Sequence, residues 1–218
     1  GFKGPDKVSI STLTGRVIVP FLMGTYHRER FGFAHGQADL VLRRDGLWFL
    51  LVTVTLPDGT RLPITDFVGV DLGVVNLATT SDAETYTGDK IETCRTRYAK
   101  RRKRLQRTAT VAQMDAKRPK NIRRALKRTQ RKESAFRRDV NHCISKALVA
   151  TSTDTERGIA LEDLKDIRTR GTPFRKAQRA RMAGWAFAQL RCFVEYKAQL
   201  AGIPVVLVDP RNTSRGCS

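Results

Sequence analysis

The chain has 218 residues, of which 40% are hydrophobic, so it is long enough to bury one core with a small appendage. Its 41 lysine and arginine residues outnumber 21 acidic residues, and the net charge of +20 predicts a polyanionic partner, with nucleic acid the leading candidate. The sequence has no secretory signal pattern, no membrane-length apolar run and no pairing pattern among its four cysteines, so we expect a reducing, cytoplasmic compartment and no membrane partner.

Residues 7 to 58 are rich in β-branched and aromatic residues and predict two hairpins. The stretch "KVSISTLTGRVIVPF" turns at Thr14-Gly15, and "ADLVLRRDGLWFLLVTVTLPDG" turns at Asp45-Gly46. We therefore expect residues 1–64 to form a small antiparallel β-barrel or part of one.

The pattern changes at "RLPITDFVGVDLGVVNLATTSDAETY", where apolar strands are predicted over Phe67 to Val70 and Val74 to Thr79. Asp71 lies between Val70 and Leu72, and burying a carboxylate there is costly unless a partner or a metal meets it. A third strand is expected somewhere between Glu84 and Ile91.

Positive charge is concentrated between Thr93 and Arg138, which contains nineteen lysine or arginine residues and two acidic residues. One proline, Pro119, divides this segment into two predicted helices, and the second gains an apolar stripe only from Phe136 onward. We expect a basic helical arm over residues 93–150, anchored at its base. Because few acids are available to neutralise it, the predicted nucleic-acid contacts are Arg101, Arg102, Lys103, Arg104, Arg107, Lys120, Arg123, Arg124, Lys127, Arg128 and Arg131.

A second acidic residue ends a short apolar strand in "RGIALEDLKDI", where Glu162 follows Ile159 to Leu161. A helix is predicted from about Lys176 to Ala201, and a buried strand of the parallel type from Ile203 to Asp209. The order of these elements predicts an α/β fold over residues 65–209, with a mixed sheet of the RNase H (RuvC) type and a long basic helical insertion.

In such a sheet, residues that end neighbouring central strands converge, so we expect Asp71 and Glu162 to meet. A cluster of carboxylates can hold two divalent cations roughly 3.5 to 4 Å apart, one activating water and the other stabilising the leaving 3′ oxygen of a phosphodiester. Mg²⁺ suits this work because it prefers carboxylate oxygens and keeps positions open for water and phosphate. Alternation along the strand sends Asp163 to the other side, whereas Asp209, at the end of the last strand, is a rival third ligand.

Several other residues receive structural interpretations. We expect His142 to be buried, hydrogen-bonded or facing a neighbouring helix. Trp185 and Phe187 are expected to pack in the core, with base stacking by one of them as the alternative, and Tyr196 and Lys197 are expected to have structural roles.

Four motifs follow one another in the chain: "VGVDLGVVNLATTS", "DVNHCISKALV", "IALEDL" and "AGWAFAQLRCFVEYKAQLAGIPVVLVDPRNTSRGCS". Together they resemble the RuvC-type nuclease domain of the TnpB family, which consists of transposon-encoded proteins similar to type V CRISPR effectors. The resemblance covers roughly Val68 to Ser218. The N-terminal strands are more loosely similar to the wedge barrel that grips guide RNA in this family.

The resemblance implies a prokaryotic, nucleoid-associated, RNA-guided DNA endonuclease with guide RNA and target DNA as partners. It matches Asp71 to the first RuvC carboxylate and Glu162 to the second, both as catalytic Mg²⁺ ligands. It matches Cys217 to the first of four cysteine ligands of a structural Zn²⁺ ribbon that begins in residues 210–218. The third carboxylate, an aspartate after that ribbon, has no counterpart in these residues. The "PRNT" that follows Asp209 is similar to the loop before the ribbon in this family, so Asp209 is interpreted as a turn residue.

Both ends of the sequence are interpreted as those of a truncated copy. The chain opens with "GFKGPDK" without an initiator methionine, its first 64 residues contain no helical recognition lobe, and it stops within the ribbon motif. With two carboxylates of three and one cysteine of four, we expect these residues alone to cleave little or no DNA and to hold no complete zinc site.

Two further interpretations remain open. One is a nucleic-acid-binding protein derived from a transposon, which occupies RNA or DNA without cutting it. The other, weaker interpretation treats the basic helices as a ribosomal-type RNA binder, and it leaves the two strand-end carboxylates unexplained.

Overall fold

The computed structural model of the protein describes residues 1–33, 35–114, 120–164 and 187–209. It divides into two compact units, one from Gly1 to Pro57 and one from Asp58 onward.

The first unit contains two hairpins, as the sequence predicted. Strands β1 (Lys7–Thr12) and β2 (Gly15–Pro20) pair antiparallel, and so do β3 (His35–Leu42) and β4 (Trp48–Val54). The turn of the second hairpin needs a glycine because Gly46 has a φ of +84°, which L side chains rarely adopt.

The part of this unit that the structure describes contains no closed barrel, and the expectation of part of a barrel stays a prediction. A barrel closes only when every strand pairs along both edges, whereas here each hairpin forms its own two-stranded sheet. A short helix, α1 (Thr25–Phe31), connects the hairpins instead. It belongs to an aromatic cluster in which the ring of Phe31 lies 4.9 Å from that of Phe2 and 5.7 Å from that of Phe21, with both pairs edge to face.

The second unit is built on one five-stranded sheet with the order β7-β6-β5-β8-β9. Strands β5, β8 and β9 run parallel, and β6 runs antiparallel to both of its neighbours. The predicted mixed α/β fold is therefore confirmed. The strands are β5 (Phe67–Asp71), β6 (Asn76–Thr80), β7 (Thr85–Thr87), β8 (Gly158–Glu162) and β9 (Val205–Val208).

Within the described part of this unit, three helices accompany the sheet: α2 (Asp89–Met114), α3 (Lys120–Asp154) and α4 (Phe187–Ala201). The predicted division of the basic segment into two helices is confirmed, although Pro119 itself lies outside the described residues. Residues 176–186, where the last helix was predicted to begin, also lie outside them.

The core of the second unit joins α3 and α4 to the central strands. Fully buried apolar side chains come from α3 (Leu148), β8 (Ile159, Leu161) and α4 (Leu190, Val194). Burying each of these side chains contributes about 1.5 to 3 kcal/mol, so this cluster holds the sheet and the two helices together.

The last strand differs from its prediction in one respect. Strand β9 is parallel, as expected, but Val206, Leu207 and Val208 are 45%, 37% and 41% exposed. The apolar run predicted a buried strand, whereas β9 is an edge strand that pairs only with β8 in the described structure.

The described residues contain no helix with both the length and the apolar character that a membrane crossing requires. Among the described residues, Cys94, Cys143 and Cys192 are free thiols.

Candidate functional site

Asp71 and Glu162 converge at one end of the central sheet. Strands β5 and β8 are parallel neighbours in which Val70 pairs with Leu161, so the next residues along each strand are Asp71 and Glu162. Their carboxyl groups lie close enough to repel one another and to share a hydrogen bond when one of them holds a proton. The register thus brings together two carboxyl groups that are distant in sequence.

The two carboxyl groups have different environments. Asp71 is exposed, whereas Glu162 is half-buried. Burial raises the pKa of Glu162, and the neighbouring Asp71 carboxyl raises it further through charge repulsion and the shared hydrogen bond. A cation bound between them would remove this repulsion, and carboxylate oxygens are the ligands that hard divalent cations prefer.

Asp163 is directed away from this pair. Its Oδ1 accepts a hydrogen bond of 2.9 Å from Nη1 of Arg191 on α4, and Nε of Arg191 donates to Oε1 of Glu195 at 2.7 Å. The sequence predicted the direction of Asp163 from strand alternation but gave no signal for Arg191. Asp209 follows β9 and is exposed.

Within the described ranges, no group of three or more histidine, cysteine, aspartate or glutamate residues is arranged to hold a metal ion. The acidic site there consists of Asp71 and Glu162. Cys217 and Trp185 lie outside the described residues.

The basic arm leaves the sheet at the end that carries the carboxylates. Thr79 of β6 lies opposite Asp71, so Asn76 and its partner Thr87 of β7 lie beyond the level of Asp71. Helix α2 begins two residues after Thr87. Helix α3 returns to the sheet through its buried C-terminal half, and at 1.5 Å per residue its first half extends well past the same end.

Ten of the eleven predicted nucleic-acid contacts are exposed on this arm: Arg101, Lys103, Arg104, Arg107, Lys120, Arg123, Arg124, Lys127, Arg128 and Arg131. Arg102 differs because its Nη1 donates to Oε2 of Glu133, which is buried on α3. Because this ion pair occupies part of the Arg102 guanidinium, Arg102 has fewer N–H groups free to bind a phosphate. The two residues are 31 positions apart, so no local sequence pattern predicts the pair.

Three of the residues interpreted as structural, His142, Lys197 and Phe187, pack as predicted. The ring of His142 stacks on that of Phe193 with 3.8 Å between centroids, and burial lowers the pKa of His142. Nζ of Lys197 donates to the carbonyl oxygen of His142 at 2.7 Å and to Oγ of Ser145 at 2.6 Å. Phe187 is buried in the core.

Residues 52–166 match the family OrfB_IS605, whose description is "Probable transposase". The chain belongs to this family. The match covers the end of β4, the sheet through β8 and both helices of the basic arm. Residues 187–218 of this transposase-family chain match a second domain family, described as "Cas12f1-like, TNB domain". The resemblance to the TnpB family is confirmed by these matches and by the relatives below.

Two curated relatives illustrate this membership. The chain is 27% identical over 222 residues to the CRISPR-associated endodeoxyribonuclease Cas12f1 of Syntrophomonas palmitatica, covering 97% of the chain and 43% of the relative. It is 28% identical over 128 residues to the TnpB-like protein MJ0751 of Methanocaldococcus jannaschii, covering 59% of the chain and 44% of the relative. The chain therefore spans less than half the length of these relatives.

One solved structure has the same fold. A chain in "Cryo-EM structure of CRISPR-Cas12f Ternary Complex" superimposes with a TM-score of 0.55 at 17% identity, covering 88% of this chain and 39% of that one. At this identity the similarity concerns the arrangement of helices and strands.

Proposed function

We propose that this chain forms the nuclease portion of an RNA-guided, Mg²⁺-dependent DNA endonuclease. The observation that carries the proposal is the juxtaposition of Asp71 and Glu162 at the ends of two parallel central strands, beside a strongly basic arm. Membership of a transposase family and similarity to proteins named as endodeoxyribonucleases support it.

We infer that the sheet is of the RNase H (RuvC) type. The strand order β7-β6-β5-β8-β9 supports this inference. Strands β5, β8 and β9 run parallel, whereas β6 runs antiparallel to its neighbour β5. In this arrangement the two acidic residues end adjacent strands of the sheet centre, where their carboxylates face the entering backbone of a nucleic acid.

Asp71 and Glu162 would hold the metal. Two Mg²⁺ ions, when bound, would supply an activated water and stabilisation of the leaving 3′ oxygen. The exposed carboxylate of Asp71 is open to solvent and substrate, and the half-buried Glu162 is held in place by the β8 register. Glu162 must release its proton before it can act as a ligand. Burial and the neighbouring Asp71 carboxylate oppose this release by raising the pKa of Glu162, and a bound cation would favour it.

The arm would hold the polyanion without reading its sequence. Its exposed lysine and arginine side chains suit phosphate oxygens, and pairing between a guide RNA and the target DNA would provide specificity. Guide RNA and target DNA are the partners that the Cas12f and TnpB similarities favour. A zinc ribbon that uses Cys217 remains a prediction from the family resemblance, because one thiolate alone cannot form a tetrahedral site.

The test is cleavage of a labelled DNA by the complete gene product with its guide RNA in Mg²⁺. Asp71→Ala and Glu162→Ala should each reduce the cleavage rate by roughly 10³-fold or more and leave RNA binding intact. Asp163→Asn is the matched control, because that neighbouring carboxylate pairs with Arg191, and it should keep most of the activity.

Two results would count against the proposal. If Asp71→Ala cuts DNA as fast as the parent protein, the acidic pair is not the catalytic site. If the parent binds RNA and DNA strongly but never cuts, the non-catalytic nucleic-acid-binding alternative is the better description. We also expect the 218 residues alone to cut much less than a protein with the third carboxylate.

A further inference from the structure

A groove of about 630 Å³ lies between helices α2 and α3 at the base of the basic arm. Its size falls within the range of roughly 300 to 1,000 Å³ that is usual for small-ligand sites. We call it the α2–α3 groove. The acidic pair and the exposed arm cations discussed above do not line it.

The floor of the groove is apolar and aromatic. Cys94 and Tyr98 of α2 are each 8% exposed, and Phe136 of α3 is half-buried beside them. These three residues are not part of the core cluster that joins the sheet to α3 and α4. The guanidinium of Arg97 lies over the Tyr98 ring, 5.1 Å from its centroid. Because Tyr98 is buried, the half-buried Phe136 ring and the exposed Arg97 guanidinium are the surfaces of this groove on which a flat base can stack.

The rim of the groove is charged in a way that suits a nucleotide. Three exposed cations line it, Lys90, Arg97 and Lys132, and they can contact phosphate oxygens. Asp89 and the hydroxyl-bearing Thr93 lie on the same rim. A carboxylate repels phosphate, but it accepts a hydrogen bond from a ribose 2′-hydroxyl.

The groove lies where the basic arm joins the sheet. Asp89 begins α2 two residues after β7, at the end of the sheet where Asp71 and Glu162 lie. A strand that follows the arm toward the sheet therefore passes this groove.

We propose that the α2–α3 groove binds one unpaired nucleotide of a single-stranded RNA. The base lies on the apolar floor beside Phe136, the flanking phosphates contact the three rim cations, and the ribose 2′-hydroxyl donates to Asp89. The proposal rests on the proposed function in one respect, since it assumes that the arm binds nucleic acid. It adds a specific pocket for a base, which the binding of nucleic acid through phosphate contacts alone would not require.

The first test fills the groove without changing charge. Ala135 lines the groove and is exposed, so Ala135→Trp should block the space and leave the fold intact. Ser134→Trp, at the exposed neighbouring position outside the groove, is the matched control. Binding of a short, unstructured, fluorescently labelled RNA to the 218-residue chain is measured by anisotropy, and the melting temperature of each variant is recorded.

We expect Ala135→Trp to weaken RNA binding by about tenfold, which is the scale of one lost stacked base, and Ser134→Trp to bind like the parent. Equal binding by all three proteins would overturn the groove proposal and leave the proposed function standing, provided that binding remains salt-dependent. A parent chain that binds no RNA at all would contradict both.

The second test uses Cys94 as a reporter on the floor of the groove. In a Cys143→Ser, Cys192→Ser, Cys217→Ser background, alkylation by iodoacetamide reports access to Cys94. Saturating RNA should slow this alkylation several-fold. An unchanged alkylation rate in the presence of bound RNA would show that the nucleotide lies elsewhere.

The third test separates RNA from DNA. A single-stranded DNA of the same sequence should bind more weakly than the RNA, and Asp89→Asn should reduce this difference. If Ala135→Trp weakens DNA and RNA binding equally, and Asp89→Asn leaves their ratio unchanged, the assignment to RNA is wrong.

Discussion

Arg102 of α2 and Glu133 of α3 form an ion pair that joins the two helices of the basic arm. Glu133 is the only acidic residue of the arm that the structure describes between Thr93 and Arg138, and it is 9% exposed. A long pair of helices with so many like charges repels itself. The Arg102–Glu133 ion pair offsets part of this repulsion, and it lies next to the α2–α3 groove, which Tyr98 and Lys132 line.

We expect Glu133→Ala to lower the free energy of unfolding by about 1 to 3 kcal/mol, because it leaves a half-buried guanidinium without its carboxylate. Urea denaturation measures this loss. A double-mutant cycle with Arg102→Met isolates the pair, and a coupling energy near zero would show that the two residues do not stabilise one another.

Arg102 should also contribute less to nucleic-acid binding than its neighbours. Arg101 and Arg104 are exposed, so Arg101→Gln and Arg104→Gln should each reduce the slope of log K against log salt concentration by about 0.7 for a single strand, whereas Arg102→Gln should change it little. Filter binding over a salt series measures the three slopes. Equal reductions in all three variants would contradict the internal role of Arg102.

Burial of Glu162 and its repulsion by Asp71 together raise the pKa of Glu162 and should make stability depend on pH. The pKa of Glu162 is raised in the folded protein, so the folded state binds this proton more tightly than the unfolded chain does. Stability therefore falls as pH rises from the ordinary carboxyl range through the raised pKa. At neutral pH, Glu162→Gln should raise the melting temperature by about 2 to 4 °C, the size of a 1 kcal/mol change in a chain of this length.

Binding of Mg²⁺ by Asp71 and Glu162 should offset the repulsion between their carboxylates and so stabilise the folded protein. It should raise the melting temperature of the parent and leave Glu162→Gln and Asp71→Asn nearly unchanged, as measured by differential scanning fluorimetry. Asp139→Asn, an exposed carboxylate on α3, is the control and should keep the Mg²⁺ response. If Mg²⁺ raises the melting temperature of all variants by the same amount, Asp71 and Glu162 do not form the metal site.

Gly202 holds the segment after the first unit against the end of α4. Its φ is +73°, a Cβ there would lie 2.0 Å from the carbonyl oxygen of Thr60, and its own carbonyl accepts a hydrogen bond from the N–H of Leu62. Gly202→Ala should therefore destabilise the protein by roughly 3 kcal/mol or more. Gly46→Ala, with a φ of +84° and open space around it, should cost about 1 kcal/mol, and thermal denaturation compares the two. Equal losses would mean that the close approach to Thr60 contributes nothing.

Local patterns were sufficient for most elements of the second unit. The strands ending at Asp71 and Glu162, the division of the basic segment into two helices and the parallel strand after α4 were all predicted, because hydrophobic period and chain-breaking residues act over a few neighbours. The sequence left open whether residues 1–64 form a closed barrel or part of one, because two hairpins have the same local pattern whether or not they pair with each other. The burial of β9 was misjudged for the same reason, since an apolar run does not reveal whether another strand lies beside it.

The sequence by itself determined the charge of the molecule, the helical nature of its basic arm and the presence of acidic residues at two strand ends, since each of these depends on composition or on nearest neighbours. The order of the strands also led us to expect that Asp71 and Glu162 meet. Only the tertiary structure decided which other side chains meet: Asp163 with Arg191, Arg102 with Glu133, and the residues around the α2–α3 groove. Such contacts join positions tens of residues apart. They depend on strand register and helix packing, which arise from the burial of the whole core and are not encoded in any short stretch of the chain.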